Sequence, residues 1–373
     1  MDALNYFFPP YFAGGNNLAS IIGGSLIIWG FNYLVLRGVR QASYINTIGT
    51  IVKIVPLVLF ILILLFVFKF SRFDFDFWGE AVSAKVRLGG LSTQIKSTML
   101  VTLWAFIGIE GAVVMSNRAR TPGDVGKATI LGFISCLAIY VLLSLLPFGY
   151  MSQAQLAAVP NPSTAGVLEH IVGPWGAWLM NIGLLVSVLT SWLAWTMVTA
   201  EIPQAAAQNG TFPKAFTTEN ANGSPSVSLW VTSSAMQLFL LLVYFSNNAW
   251  NTMLSITSVM VLPAYFASCA YLWKICEDGE YPDTMLTNRS TALITSVIGS
   301  IYALWLIYAA GLKYLMLAVV IIALGIPVYM WARKENNPQG KAFTRGECIL
   351  ASALVIIAIA AIYGFSRGLI SLN

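Results

Sequence analysis

Charge is scarce in this 373-residue chain: Asp, Glu, Lys and Arg together make 9% of it, against 58% hydrophobic residues. Soluble domains carry about 25% charged residues, so an ordinary water-exposed surface is excluded. Histidine occurs once, at His170, which leaves no cluster for a metal or a nucleophile triad. The four cysteines, Cys136, Cys269, Cys276 and Cys348, have no paired metal-ligand spacing. Three fall in or beside apolar runs, so they read as reduced, buried thiols. The net charge of +5 is spread over short loops rather than gathered in one patch, which argues against nucleic acid as a partner. Met1 to Tyr6 lack the basic opening of a signal peptide, and no cofactor is implied.

What is abundant is apolar length. Several runs exceed 18 residues, enough to cross about 30 Å of hydrocarbon as a helix, so the fold class is an all-α polytopic membrane protein. About ten spans are predicted, near 18–36, 45–68, 97–115, 130–148, 175–200, 227–245, 252–273, 292–310, 315–331 and 349–365. Loops placed inside by this order carry twelve Lys and Arg, those placed outside seven, which orients the first span from outside to inside. A chain that starts outside without a signal peptide suggests an odd number of helices missing before it.

One run breaks its own pattern. Trp104-Ala105-Phe106-Ile107-Gly108-Ile109-Glu110-Gly111 holds two glycines and a carboxylate inside a hydrophobic segment. Glycine frees the backbone, and freed amides at membrane depth need a polar cavity or another part of the protein. A carboxylate there costs roughly 3 kcal/mol on insertion scales, so Glu110 should face inward. The stretch is predicted to be the broken helix of a transporter.

Glu110 is then a candidate for gating or proton coupling, or a structural cap on a neighbouring helix. Lys53, about two turns into its span, either snorkels to the interface or places an ammonium in the interior. Trp104 and Trp192 are core packing, or indole faces for an ammonium or guanidinium once water is excluded. Ser255, Thr257 and Ser258 lie at a depth where either a substrate or a neighbouring helix could use their hydroxyls.

The run from Trp104 to Gly111, with Asn117-Arg118-Ala119-Arg120-Thr121-Pro122 and Ala207-Gln208-Asn209-Gly210-Thr211-Phe212-Pro213, resembles the amino acid-polyamine-organocation superfamily. The similarity is greatest to its basic amino acid/polyamine antiporters, and among them to arginine:ornithine antiporters. This resemblance implies a LeuT-type inverted-repeat fold lacking helices 1–3. One transporter domain would fill residues 1–373: helices 4–5 in 1–70, the second repeat of helices 6–10 in 94–273, and helices 11–13 in 290–373. It implies exchange of arginine for ornithine by alternating access, with lysine, histidine or polyamine exchange, or an inactive fragment, as the alternatives. Trp104 would occlude the cargo, Ala105, Phe106, Ile107 and Gly108 would form the unwound stretch, and Trp192 and Ser255 would border the cavity. Glu110 would sense protons or relay the gate. Lys53 resembles a lysine of proton-linked members that occupies the place of a sodium ion. Cationic amino acids and the lipid bilayer are the implied partners, a homodimer the implied assembly, and a bacterial inner membrane the location.

Overall fold

In a computed structural model, the described residues are 1–73, 90–114, 116, 119, 121–160, 162–244, 249–282, 285, 287 and 288–367. Fourteen α-helices follow one another among them. They are α1 (Leu18–Arg37), α2 (Val39–Val67), α3 (Leu91–Phe106), α4 (Gly111–Val114), α5 (Pro122–Leu145), α6 (Gln153–Ala158) and α7 (Ser163–Val172). Next come α8 (Pro174–Gln208), α9 (Ser226–Val243), α10 (Ala249–Asp278), α11 (Arg289–Ala310), α12 (Leu312–Ala323), α13 (Gly325–Asn336) and α14 (Arg345–Ser366). The chain is all-α and polytopic: nine helical segments of the described residues are long and apolar enough to cross a membrane. The remaining predicted span, 227–245, corresponds to α9, whose apolar part Ser226–Leu241 is shorter than the other nine.

Helices outrun the apolar runs that signalled them. α2 starts at Val39, directly after Gly38, and α8 continues to Gln208 with Pro203 inside it. The span predicted at 315–331 is two helices meeting at Leu324. Pro327, third in α13, has no amide to donate and a ring that crowds the preceding turn, so it is tolerated only near a helix start. Cys276 is buried and Cys136 and Cys269 half-buried, but Cys348, in the first turn of α14, is exposed, contrary to the expectation for a buried thiol.

Contacts divide the chain into two compact units. The first comprises residues 1–82, 111–119 and 128–247. In it α2 lies along α8, where Gly183 faces Pro56 and Gly49 faces Thr190, the small residues letting the backbones approach. A Cβ on Gly183 would come within 2.6 Å of the Pro56 ring. Phe60, Leu64, Leu168 and Met180 bury one core, and Val35, Leu193, Met197 and Leu229 another.

Helices α1 and α9 are joined by polar groups that would be costly to leave unpaired in lipid. Ser233 Oγ donates to Asn32 Oδ1 at 3.0 Å, Gln237 Nε2 donates to Ser25 Oγ at 2.9 Å, and Trp29 Nε1 donates to Gln237 Oε1 at 3.1 Å. At the end of α1, Ser224 Oγ donates to the Val35 carbonyl at 2.7 Å and Asn220 Nδ2 to that of Leu36 at 2.7 Å. The loop before α9 thus satisfies carbonyls that the helix end leaves open.

The second unit comprises residues 83–110, 120–127 and 248–373. Here α10 packs along α11, with Gly299 against Cys269, and α3 lies on both. Val259, Leu262, Leu306, Ala310 and Ala318 are its buried centre, with Met99 and Leu103 of α3 packed on them.

Candidate functional site

Helix α3 stops at Phe106, and the chain becomes helical again only at Gly111. Ile107 is extended (φ −61, ψ 129), its amide donating back to the Trp104 carbonyl at 3.1 Å. Gly108 has φ +114, a backbone region that disfavours any residue with a Cβ, which is why a glycine stands here. Past this point the regular ladder cannot supply partners. The Gly108 amide instead donates to Glu110 Oε2 at 2.8 Å.

The same oxygen takes a second hydrogen bond. Tyr265 Oη, on α10, donates to Glu110 Oε2 at 3.0 Å. One half-buried carboxylate therefore holds a released backbone amide of the interruption and a phenol from another helix. An ionised carboxylate accepts both bonds well; a proton on that oxygen would remove charge and an acceptor position, weakening both. A change of charge on Glu110 would thus bear on both bonds at the break.

Trp104, exposed, and Ala105 and Phe106, half-buried, form the last turn of α3, immediately before the interruption. Ser255 is not at the break. It precedes Tyr265 by ten residues on α10, about 15 Å along the axis, and lines a cavity with Lys96, Thr93 and Ser97. Ser258 is buried and its hydroxyl donates to the Leu254 carbonyl at 2.8 Å. Thr257 is exposed.

Trp192 and Lys53 belong to the first unit. Trp192 sits midway along α8, half-buried, with the Phe31 ring edge-on at 6.2 Å. Lys53 is the fifteenth residue of the 29-residue α2, about 21 Å from its start. The ammonium is half-buried and the Cys136 thiol of α5 is within electrostatic range. Among the described residues no three His, Cys, Asp or Glu side chains gather where they could hold a metal ion.

Tyr265 was not singled out by sequence reasoning. A tyrosine in an apolar span reads as packing or interface, and its partner is 155 positions away. Pro263, two residues before it inside α10, is the signal that could have drawn attention, since a proline frees a carbonyl one turn earlier.

The family profile described as amino acid permease matches residues 1–324. The chain belongs to that family. It is similar over its full length to the arginine/agmatine antiporter of Chlamydia pneumoniae, 59% identical over 373 residues that make 77% of the relative. The corresponding protein of Chlamydia abortus is 58% identical over 367 residues, 98% of this chain and 76% of its own. That of Chlamydia trachomatis serovar D is 56% identical over 372 residues, 100% of this chain and 77% of its own. This permease is therefore a multi-pass transporter of a bacterial plasma membrane and not an enzyme.

Proposed function

We propose that this permease exchanges arginine for agmatine by alternating access, with the interruption at 107–110 as its moving part. The observation that carries transport is the amide of Gly108 held by Glu110, whose carboxylate also accepts from Tyr265, an opening in a membrane helix that a lipid-facing span has no use for. The cargo rests on the relatives, 56–59% identical and named arginine/agmatine antiporters. Trp104 closes over the guanidinium, Ala105 to Gly108 supply backbone groups to the cargo, and Trp192 borders the path. Glu110 ties protonation to the gate, and Lys53 takes the place of a coupling cation. In this reading α1 and α2 correspond to helices 4 and 5, residues 94–273 to helices 6–10, and residues 290–373 to helices 11–13. The assembly is a homodimer.

Ornithine, the counter-substrate expected from the sequence resemblance, is the second reading, and charge separates the two. Near neutral pH arginine and ornithine each carry one net positive charge, whereas agmatine, lacking the carboxylate, carries two. Agmatine leaving for arginine entering thus exports one charge, worth about 2.3 kcal/mol per 100 mV, or about fifty-fold in the equilibrium accumulation ratio. Agmatine-loaded proteoliposomes should take up labelled arginine faster at an inside-positive potential and slower at an inside-negative one. Uptake that ornithine drives better, with no response to potential, would replace agmatine by ornithine.

A further inference from the structure

The cavity that holds Ser255 is not part of the interruption, and its chemistry is specific. It is about 440 Å³, within the range of about 300–1,000 Å³ usual for small-molecule sites. Its walls come from the first turns of α3, the start of α10, the end of α11 and the start of α12, all in the second unit. Lys96, Thr93, Ser97, Ser255 and Tyr314 supply its polar groups, and among the described residues no carboxylate lines it.

Lys96 is half-buried, with its ammonium 3.7 Å from the centre of the Tyr308 ring. The ring and the hydroxyl of this one tyrosine together engage only part of the ammonium's three N–H donors. Ser97 is committed differently: its hydroxyl donates to the Gln94 carbonyl at 2.8 Å, so its oxygen is left to accept. A cation and a hydroxyl oxygen one residue apart match the two ends of a zwitterion, the carboxylate on Lys96 and the α-ammonium on Ser97.

Position gives the pair a use. Thr93, Ser97, Val101 and Trp104 recur at helical spacing on one face of α3, and the first three line the cavity. Trp104 lies one turn beyond Val101, and Lys96 is about 12 Å along the axis from Trp104. A solute moving along this face from the start of α3 meets the Lys96 cavity before the interruption.

The geometry points to this cavity as a waypoint that receives the α-amino acid head of arginine ahead of Trp104. It discriminates against agmatine, which has no carboxylate to offset the ammonium of Lys96. This inference rests on the exchange proposed above for its choice of ligands. Lys96→Met should raise the external KM for arginine by about three- to ten-fold, the loss of one charge-assisted contact, and leave that for agmatine unchanged or lower. Lys96→Arg should restore arginine. If Lys96 merely braces the end of α11, both constants shift together and the inference fails.

A second measurement works without transport. In detergent-solubilised Ser97→Cys protein, the rate of alkylation at residue 97, read by mass spectrometry, should fall with arginine and not with agmatine or acetate. Equal protection by all three, or none by arginine, overturns the waypoint whatever the exchange assay gives. Absence of arginine exchange with arginine protection intact would instead overturn the proposed function and leave the waypoint standing.

Discussion

Replacing Tyr265 by phenylalanine deletes one oxygen and tests whether the phenol holds the gate. The wild-type hydroxyl donates to Glu110 Oε2 at 3.0 Å, beside the 2.8 Å bond from the Gly108 amide. A hydrogen bond to a carboxylate contributes about 1.5–3 kcal/mol. If the bond exists in only one of the two alternating states, its loss shifts their ratio by about ten- to a hundred-fold. Steady-state exchange of labelled arginine in proteoliposomes should fall accordingly, with protein recovery and melting temperature little changed. In a Glu110→Ala background the acceptor is already gone, so Tyr265→Phe should there be nearly silent. Exchange within two-fold of wild type, or effects of the two substitutions that simply multiply, would refute the coupling of phenol, carboxylate and break.

Other outcomes follow from single contacts. Gly108→Ala forces a Cβ onto φ +114, costing of order 1–3 kcal/mol, and should lower both exchange and thermal stability in detergent. Gly183→Ala places a methyl 2.6 Å from the Pro56 ring and should destabilise the packing of α2 on α8 by about 1–3 kcal/mol, read as a lower melting temperature. Ser233→Ala leaves buried Asn32 Oδ1 without its 3.0 Å donor and should cost about 0.6–1.7 kcal/mol in the same assay, with the exchange rate per folded molecule unchanged. Trp104→Leu keeps an apolar side chain but removes the indole face, so exchange should slow while melting stays near wild type.

Much of the fold was open to inference from the sequence because lipid imposes a simple rule: apolar length becomes helix. The interruption was also readable, since Gly108, Glu110 and Gly111 contradict that rule within one run. Helix ends were not. Arg40, Gln41 and Ser43 leave the apolar pattern yet continue as helix in α2, because hydropathy marks the hydrocarbon layer and not where hydrogen bonding stops. The division at Leu324 left a signal in Gly325 and Pro327 that a continuous apolar run masks.

The candidate site divides in the same way. Glu110 was found as a misplaced charge, while Tyr265 and Lys96 are ordinary residues made special by partners that spacing along the chain does not disclose. Ser255 was assigned by resemblance to a position near the cargo, and the fold sets it in the wall of the cavity that Lys96 also lines. Its hydroxyl gains a meaning only from the helices that close around it.

Obligatory exchange is the most direct test of the central claim, that an interrupted helix alternates only while occupied by a cationic solute. Proteoliposomes containing the chain, either empty or loaded with agmatine, are given labelled arginine outside. The account predicts uptake in the loaded vesicles and none above background in the empty ones. Equal uptake into both would contradict it.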